Sequence, residues 1–146
     1  MFNRNYLDGS IYHMVHFDNL NKIFERRALL SKKSVIQEKI TYQSIAYETV
    51  QNLRNRIFIW DTSIKKYRSL HSYIPFYFAT LTPMLYVQHQ RGIQEHLVIF
   101  ELSRTILQEP NVLFTDGNAS NQQLSRNPEE KVLIMPATDD NNLCRR

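Results

Sequence analysis

The sequence has few glycines, a single cysteine and no long apolar run. With only three glycines, it cannot build a glycine-rich phosphate loop or the dinucleotide turn of a doubly wound fold. The lone Cys144 cannot close an internal disulfide or form a thiolate metal site, which favours a reducing cytoplasm. No apolar run follows Met1–Ser10, and no stretch approaches the roughly 18 apolar residues of a membrane span. We therefore expect a cytoplasmic protein that has no membrane partner and binds any phosphate through side chains.

The remaining composition is that of an ordinary globular protein. The 146 residues are 42% apolar and 12% aromatic, which is enough to bury a core and excludes disordered and collagen-like classes. No internal repeat, low-complexity tract or Pro/Gly/Ser-rich linker divides the chain. We expect one domain spanning residues 1–146.

Positive charge is concentrated in the first half of the chain. Residues 1–73 hold 12 Lys/Arg against 6 Asp/Glu, whereas residues 74–146 hold 6 against 8. Aromatic residues, among them Trp60 and Tyr67, lie between the basic ones. Such interleaving suits a phosphate backbone with unstacked bases. A solvated cationic surface without a partner explains the same charge, and both interpretations stay open at this point.

The apolar pattern predicts a strand, two helices and then several strands. Ile11–Val15 reads as a strand, and Asp18 is the candidate N-cap of a helix that ends near Ser31–Lys33. After the polar run Asp61–Ser72, aromatic and β-branched residues predict four strands. Pro75 places the first of these at a sheet edge or at a strand start. The fold class is therefore α+β. The predicted strands are Tyr73–Phe78, His96–Leu102, Val112–Phe114 and Val132–Met135.

The second predicted helix runs from Ser44, its candidate cap, to about Phe58. Arg54 follows Val50 by four residues and so projects about 40° from it, at the margin of the apolar stripe. An arginine at that margin can bury its stem and hold its guanidinium over a cleft. Snorkelling without a ligand satisfies the same pattern.

The other candidate polar residues are weaker. His13 and His16 lie three residues apart, but no Cys, Asp or Glu group nearby completes a metal site, so no metal is expected. His13 is either a ligand-facing hydrogen-bonding residue at a strand end or a satisfied structural histidine. Asp116 fits a turn better than an acid. Glu130, beside Glu129 before the last strand, is the best carboxylate candidate, although an exposed turn is also consistent.

Three of these segments together resemble the DarT family of DNA ADP-ribosyltransferase toxins. The first is the tyrosine-histidine strand that runs into Asp-Asn-Leu, residues 11–20. The second is the helix that starts at Ser44 and carries the pair Arg54 and Arg56. The third, residues 71–86, is the aromatic strand His-Ser-Tyr-Ile-Pro-Phe-Tyr-Phe with the Pro-Met-Leu-Tyr that follows it. With the Thr-Asp pair at 115–116, these segments occur in order and at suitable spacing.

The resemblance implies an ADP-ribosyltransferase-like fold, in which the N-terminal strand and two helices precede a mixed or antiparallel sheet around an NAD cleft. It implies NAD as co-substrate, with His13 orienting the nicotinamide ribose or amide. Arg54 then serves both in catalysis and in binding the diphosphate, for which a bidentate guanidinium is suited. The aromatic strand supplies Tyr73, Phe76 and Tyr77 for stacking, and Met84 becomes a wall of the pocket.

The remaining implications concern catalysis and partners. A glutamate at the start of a late strand supplies the family's carboxylate, and Glu130 is the matching residue here. Only residues 117–128 separate the Thr-Asp segment from Glu129, where the family has a longer helical stretch. The chain is thus either a compact enzyme or a truncated, catalytically impaired relative that binds NAD or nucleic acid. The implied acceptor is a base in single-stranded DNA, with RNA or protein as alternatives. The implied partner of such a toxin is a macrodomain antitoxin.

Overall fold

Two antiparallel sheets organise the part of the chain that the structure describes. The computed structural model describes residues 7–61, 64–109, 112–115 and 132–136. A five-stranded sheet has the strand order β5-β1-β4-β7-β6, and a separate hairpin pairs β2 with β3. The strands are β1 (Ser10–His16), β2 (Phe58–Asp61), β3 (Lys66–Ser69), β4 (Tyr73–Tyr77), β5 (Leu97–Ser103), β6 (Leu113–Thr115) and β7 (Val132–Pro136).

Within the described ranges, four short α-helices and several 3-10 turns connect these strands. The helices are α1 (Leu20–Arg26), α2 (Lys32–Gln37), α3 (Glu48–Arg54) and α4 (Pro83–Gln90). Side-chain caps begin two of them. The Ser31 hydroxyl accepts from the amide of Ser34 at the start of α2, and the Thr82 hydroxyl accepts from the amide of Leu85 at the start of α4.

The core lies on one face of the central strands. β1 and β5 are paired over seven residues, from Ser10 opposite Ser103 to His16 opposite Leu97. The side chains of β4 alternate between the core face and the opposite face of the sheet, because successive side chains of a strand point to opposite faces. Its Ile74 and Phe76 are buried with Ile11 and Leu107, whereas Tyr73, Pro75 and Tyr77 face the other way.

All five predicted strands are present, but the prediction that Pro75 marks a sheet edge or a strand start is wrong, because Pro75 is the middle residue of β4. β4 lies in the middle of the sheet, between β1 and β7. A proline is tolerated there because the β1–β4 ladder is short, with one registered pair, Tyr12 opposite Tyr77.

The predicted helix boundaries need correction. The first helix ends at Arg26 instead of near Ser31–Lys33, because Arg27 adopts a left-handed conformation with φ of 53°. Asp18 is not its cap and lies in the preceding 3-10 turn, where its own amide donates to the ring of His16.

The second helix is also shorter than predicted. It starts at Glu48 instead of Ser44 and ends at Arg54, and the hydroxyl of Ser44 accepts from the amide of Ala46 in the segment before it. Phe58 is therefore the first residue of β2.

The helices α2 and α4 and the β2–β3 hairpin were not predicted. The hairpin occupies part of the run that was read as polar and charged. No helix of the described residues is long and apolar enough to cross a membrane. The extent of the domain, residues 1–146, stays a prediction.

Candidate active site

A cavity of about 490 Å³ lies between the central sheet and the helices. Its walls come from β1 and β4 on the sheet side and from all four helices, together with the segment that leads into α3. This volume lies within the usual range for small-molecule and cofactor sites. Five of the six predicted cofactor-binding residues line it: His13, Arg54, Tyr73, Tyr77 and Met84.

His13 is fixed at the sheet side of the cavity. Its Nδ1 atom lies 2.7 Å from the carbonyl oxygen of Pro75. A carbonyl only accepts, so Nδ1 carries the proton and Nε2 is the ring's acceptor in the neutral form. Burial lowers the pKa of His13 below its ordinary value, and the bond to Pro75 opposes this in part. The imidazole is therefore neutral at neutral pH, with a defined tautomer.

Arg54 is the last residue of α3, and its guanidinium is largely removed from water. Its Nε atom is buried and has no hydrogen-bond partner among the described residues. Burial lowers the pKa of Arg54, and the neighbouring Tyr77 phenol acts in the opposite direction. An arginine held in this way keeps donors free for an anionic ligand.

Lys32 and His71 join Arg54 in a cluster of basic side chains that the sequence analysis missed. The ammonium of Lys32 donates to the side-chain carbonyl of Gln51 at 2.7 Å. Burial first, and then the charge of Arg54, lower the pKa of Lys32. Burial is also the main cause that lowers the pKa of His71, with Lys32 and Arg54 adding to it, while a bond to the backbone of Gln51 opposes it.

The sequence contained some indication of Lys32 and His71, but nothing distinguished them from other basic residues as members of the site. Lys32 stood in a Lys-Lys pair at the start of a helix that was not predicted, and His71 opened the aromatic motif. Only the fold shows that both line the same cavity as Arg54.

The aromatic strand contributes one face to the cavity. Tyr73 and Tyr77 line it, and burial raises the pKa of both phenols. The hydroxyl of Tyr77 lies 3.6 Å from the sulfur of Met84 on α4. Phe76 points to the opposite face and is 0% exposed in the core. It approaches the site only through the ring of His13, at 5.4 Å between centroids.

Unpaired polar atoms cluster around this cavity. Besides Arg54 Nε, they include His71 Nε2, the Tyr73 hydroxyl and Gln88 Oε1, all buried and without a partner among the described residues. Each of these residues lines the cavity. Buried polar groups in proteins are almost always hydrogen-bonded, so four such atoms in one cavity indicate a polar ligand.

The structure does not describe the three candidate acids. Glu130, Glu129 and Asp116 lie outside the described residues, so the role of Glu130 stays a prediction. Within the described ranges, no group of three or more His, Cys, Asp or Glu side chains is arranged to hold a metal ion.

Comparisons of the sequence with a family model and with known proteins agree on one family. The family model described as "ssDNA thymidine ADP-ribosyltransferase, DarT" matches residues 12–145. A DNA ADP-ribosyl transferase of Thermus aquaticus is 32% identical over 119 residues, which are 77% of this chain and 51% of the relative. A fusion of a DNA ADP-ribosyl transferase with a DNA ADP-ribosyl glycohydrolase in Thermosipho africanus is 29% identical over 124 residues, 83% of this chain and 30% of the relative. The chain thus spans about half the length, or less, of these two relatives.

Comparison with solved structures confirms the expected fold. Thermus sp. 2.9 DarT in complex with ADP-ribosylated ssDNA aligns with a TM-score of 0.73 at 23% identity, covering 93% of this chain and 78% of that chain. Thermosipho africanus DarTG in complex with ADP-ribose aligns with a TM-score of 0.70 at 24% identity, covering 94% and 33%. At these identities the likeness establishes the architecture, an ADP-ribosyltransferase fold of helices around an antiparallel sheet.

Proposed function

The chain belongs to the DarT family, and from this membership we propose that it transfers ADP-ribose from NAD to a base in single-stranded DNA. The observation that carries the proposal is the cavity itself. It is lined by the guanidinium of Arg54, the ammonium of Lys32 and the imidazole of His71, beside buried polar atoms that have no hydrogen-bond partner in the described part of the chain. A dinucleotide supplies what such a site lacks, an anionic diphosphate together with polar ring edges and ribose hydroxyls.

The proposed NAD contacts come from both the helix side and the sheet side of the cavity. Arg54 binds the diphosphate and Lys32 adds a donor beside it. His71 adds a second donor only when its ring takes up a proton, because its other ring nitrogen already bonds to the backbone of Gln51. His13 orients the nicotinamide ribose or amide through its Nε2 atom, because Nδ1 is already bonded to Pro75. Tyr73, Tyr77 and Met84 form the wall beside the nicotinamide. Phe76 has no place in this proposal, since its side chain is buried on the other face of β4.

The proposed reaction exchanges one bond at the nicotinamide ribose for another. The bond between the ribose and the nicotinamide nitrogen breaks, and nicotinamide leaves with the electron pair. A nucleophilic atom of the DNA base forms the new bond to the same ribose carbon. The oxocarbenium-like centre between these steps needs a negative charge nearby, as in glycoside hydrolysis. We assign that charge to Glu130, which also removes the proton that the base loses, and we assign Arg54 to the catalytic set.

The proposed acceptor is a thymidine in single-stranded DNA. The family description names that acceptor, and the solved relative from Thermus sp. 2.9 is described in complex with ADP-ribosylated ssDNA. The basic first half of this chain, with 12 Lys/Arg against 6 Asp/Glu over residues 1–73, supports a polyanionic partner.

The family also suggests how such an activity is restrained. We propose that the protein is the toxin of a toxin–antitoxin pair in the cytoplasm, with a macrodomain antitoxin that removes ADP-ribose. The Thermosipho africanus relative, a transferase fused to a DNA ADP-ribosyl glycohydrolase, supports a partner with that activity. Co-expression with such a glycohydrolase should restore growth of cells that the protein arrests. Arrest that persists despite an active glycohydrolase would argue against this partner.

The direct test uses the chain with NAD and oligonucleotides. We expect nicotinamide release and a mass gain of one ADP-ribose on oligonucleotides that contain thymidine. Oligonucleotides that lack thymidine are the matched control, and RNA and cell lysate test the other acceptors. Adducts confined to RNA or protein would reject the DNA assignment. Thermal stabilisation by NAD without any nicotinamide release would instead identify a catalytically impaired relative.

A further inference from the structure

The outer face of the β2–β3 hairpin carries three exposed aromatic rings. Phe58, Trp60 and Tyr67 are 58%, 49% and 70% exposed. Trp60 lies directly opposite Tyr67 in the ladder, so both side chains point to the same face, and alternation brings Phe58 to that face as well. The rings of Trp60 and Tyr67 meet edge to face, 5.1 Å apart between centroids. Three large rings on one short hairpin form an unusual apolar surface.

The other face of the hairpin holds it to the domain. Ile57, which precedes β2, and Ile59 pack against the buried pair Leu70 and Tyr73. Arg68 also reaches that face, where its guanidinium lies 5.9 Å from the centre of the Tyr73 ring. Because Tyr73 lines the cavity, the hairpin adjoins the wall of the proposed NAD site. The outer rings are not needed for this anchoring.

The surroundings of the outer face are basic. Residues 54–68 contain five Lys/Arg and one Asp. Arg54 lines the cavity and Arg68 lies on the inner face, so the exposed cations of this segment are Arg56, Lys65 and Lys66. The acid, Asp61, forms an ion pair with Arg68 at 3.3 Å. Lys65 and Lys66 are exposed at the end of the hairpin. Lys66 lies opposite Asp61 in the ladder and therefore points to the inner face. A second copy of this chain would bring the same positive charge to the face and be repelled, whereas a polyanion with exposed ring faces fits it.

We propose that the outer face of the β2–β3 hairpin is a stacking site for bases of single-stranded DNA that flank the modified base. Phe58, Trp60 and Tyr67 stack with the bases, and Lys65 contacts the phosphates. Successive aromatic rings beside cations bind single strands with little sequence preference, because every base has a π-face. The proposal rests on the proposed function for the identity of the strand, and it adds a binding site outside the cavity.

Trp60 makes this contact directly observable, because it is the only tryptophan in the chain. We expect saturable quenching of tryptophan fluorescence when a thymidine oligonucleotide is added to the full chain. An oligonucleotide of equal length with abasic sites retains the phosphates and should bind without comparable quenching. Equal quenching by the abasic strand would overturn the stacking contact. Stronger quenching and tighter binding by the matching RNA would overturn the choice of DNA.

Substitutions distinguish the contribution of base stacking to oligonucleotide binding from the contribution of ionic contacts with phosphates. Trp60→Ala and Tyr67→Ala should each weaken oligonucleotide binding about tenfold, measured by anisotropy of a labelled strand, and Trp60→Phe should retain most of the affinity. Phe24→Ala is the matched control, since Phe24 is also an exposed ring, at 63%, in an edge-on pair with Phe100. Lys65→Gln should reduce the salt dependence of binding.

Two measurements distinguish this proposal from the proposed function. Thermal stabilisation by NAD should be unchanged in Trp60→Ala and Tyr67→Ala, and adducts should still form when the oligonucleotide is in excess. If the wild type forms adducts and both variants bind DNA as tightly as it does, the hairpin site is wrong and the proposed function stands. If no adduct forms on any DNA and no oligonucleotide quenches Trp60, both fail. A change from dimer to monomer in Trp60→Ala, without quenching in the wild type, would identify a self-association face instead.

Discussion

The ring Nδ1 of His13 donates a hydrogen bond to the carbonyl oxygen of Pro75, 2.7 Å away. It joins β1 to β4 where their backbone ladder is short, with one registered pair. Proline has no N–H to donate to a ladder, and the carbonyl oxygen of Pro75 bonds to a side chain at this point. The same bond fixes the tautomer of a histidine that lines the cavity.

This relationship predicts that two substitutions of His13 differ in stability. His13→Ala leaves the carbonyl of Pro75 unpaired and should lower the free energy of unfolding by about 1–3 kcal/mol. In His13→Asn the amide nitrogen stands near the position of Nδ1 and can keep that bond, so the loss should be smaller. Both variants lack Nε2 and should bind NAD about tenfold more weakly. Urea unfolding and calorimetric titration measure the two effects, and equal destabilisation by Ala and Asn would contradict this role.

Replacing Arg54 should change stability and NAD affinity in different ways. Its Nε atom is buried without a partner among the described residues, so Arg54→Met removes an uncompensated polar group. We expect the free energy of unfolding of the NAD-free protein to stay equal or to rise by about 1 kcal/mol. NAD affinity should fall ten- to about a hundredfold, because a charge-assisted bidentate contact is lost.

The matched control for Arg54 is its exposed neighbour Arg56. Arg56→Met removes the same charge from the same segment and should leave thermal stabilisation by NAD unchanged. Similar losses of NAD affinity in both variants would mean that overall charge, and not the placement of Arg54, governs binding. A marked loss of stability in Arg54→Met would show that the guanidinium has a structural role.

The β-strands were predictable from sequence because they need only local information. Runs such as Leu97–Ser103 combine β-branched and apolar residues over the length of a strand, and the pattern located all five strands of the main sheet. Helix ends were less predictable, since Arg27 adopts a positive φ of 53° that nothing in its residue type requires. The position of Pro75 in the middle of the sheet results from the pairing of β4 with β1 and β7, strands that are distant in the sequence.

The site was predictable only where short local motifs mark its residues. Family motifs pointed to His13, Arg54 and the aromatic strand, and these residues meet in one cavity. Alternation along β4 excludes Phe76 from it, because Ile74 and Phe76 share the core face, and this required knowing which face is buried. Lys32 and His71 carry no helical or strand signature of their own. Their contribution arises from proximity to Arg54, which is a long-range property.

Glu130 provides the sharpest test of catalysis. Glu130→Gln should lower ADP-ribose transfer by about a hundredfold or more, because the neutral amide does not stabilise a developing positive charge. NAD binding should be little changed, since the proposed diphosphate contacts lie elsewhere. Glu129→Gln is the adjacent control and should transfer at nearly the wild-type rate. Wild-type transfer by Glu130→Gln would assign the acid to another residue.

Stability should fall as the solution is acidified below the ordinary histidine pKa of 6.5. Burial lowers the pKa of both His13 and His71 in the folded state, so the unfolded chain binds protons more tightly. The contribution of each group is fully present above pH 6.5 and is lost as pH falls from there towards its folded-state pKa. The slope should be at most about 1.4 kcal/mol per pH unit for each histidine. Urea unfolding over this range measures it, and a slope unchanged in the His13→Asn, His71→Gln double variant would assign the loss to other groups.

NAD binding should take up protons at mildly acidic pH through His71. Its pKa is lowered mainly by burial and further by the charges of Lys32 and Arg54. A diphosphate bound between those cations offsets their charge and adds a negative one, so it should raise the pKa of His71. Between the free and the bound pKa, each binding event then draws a proton from the buffer. Calorimetric titrations near pH 6 in buffers of different ionisation enthalpy should show this uptake, and His71→Gln should abolish it. Uptake that persists in His71→Gln would assign the proton elsewhere, and no uptake in the wild type would place the diphosphate away from Lys32 and Arg54.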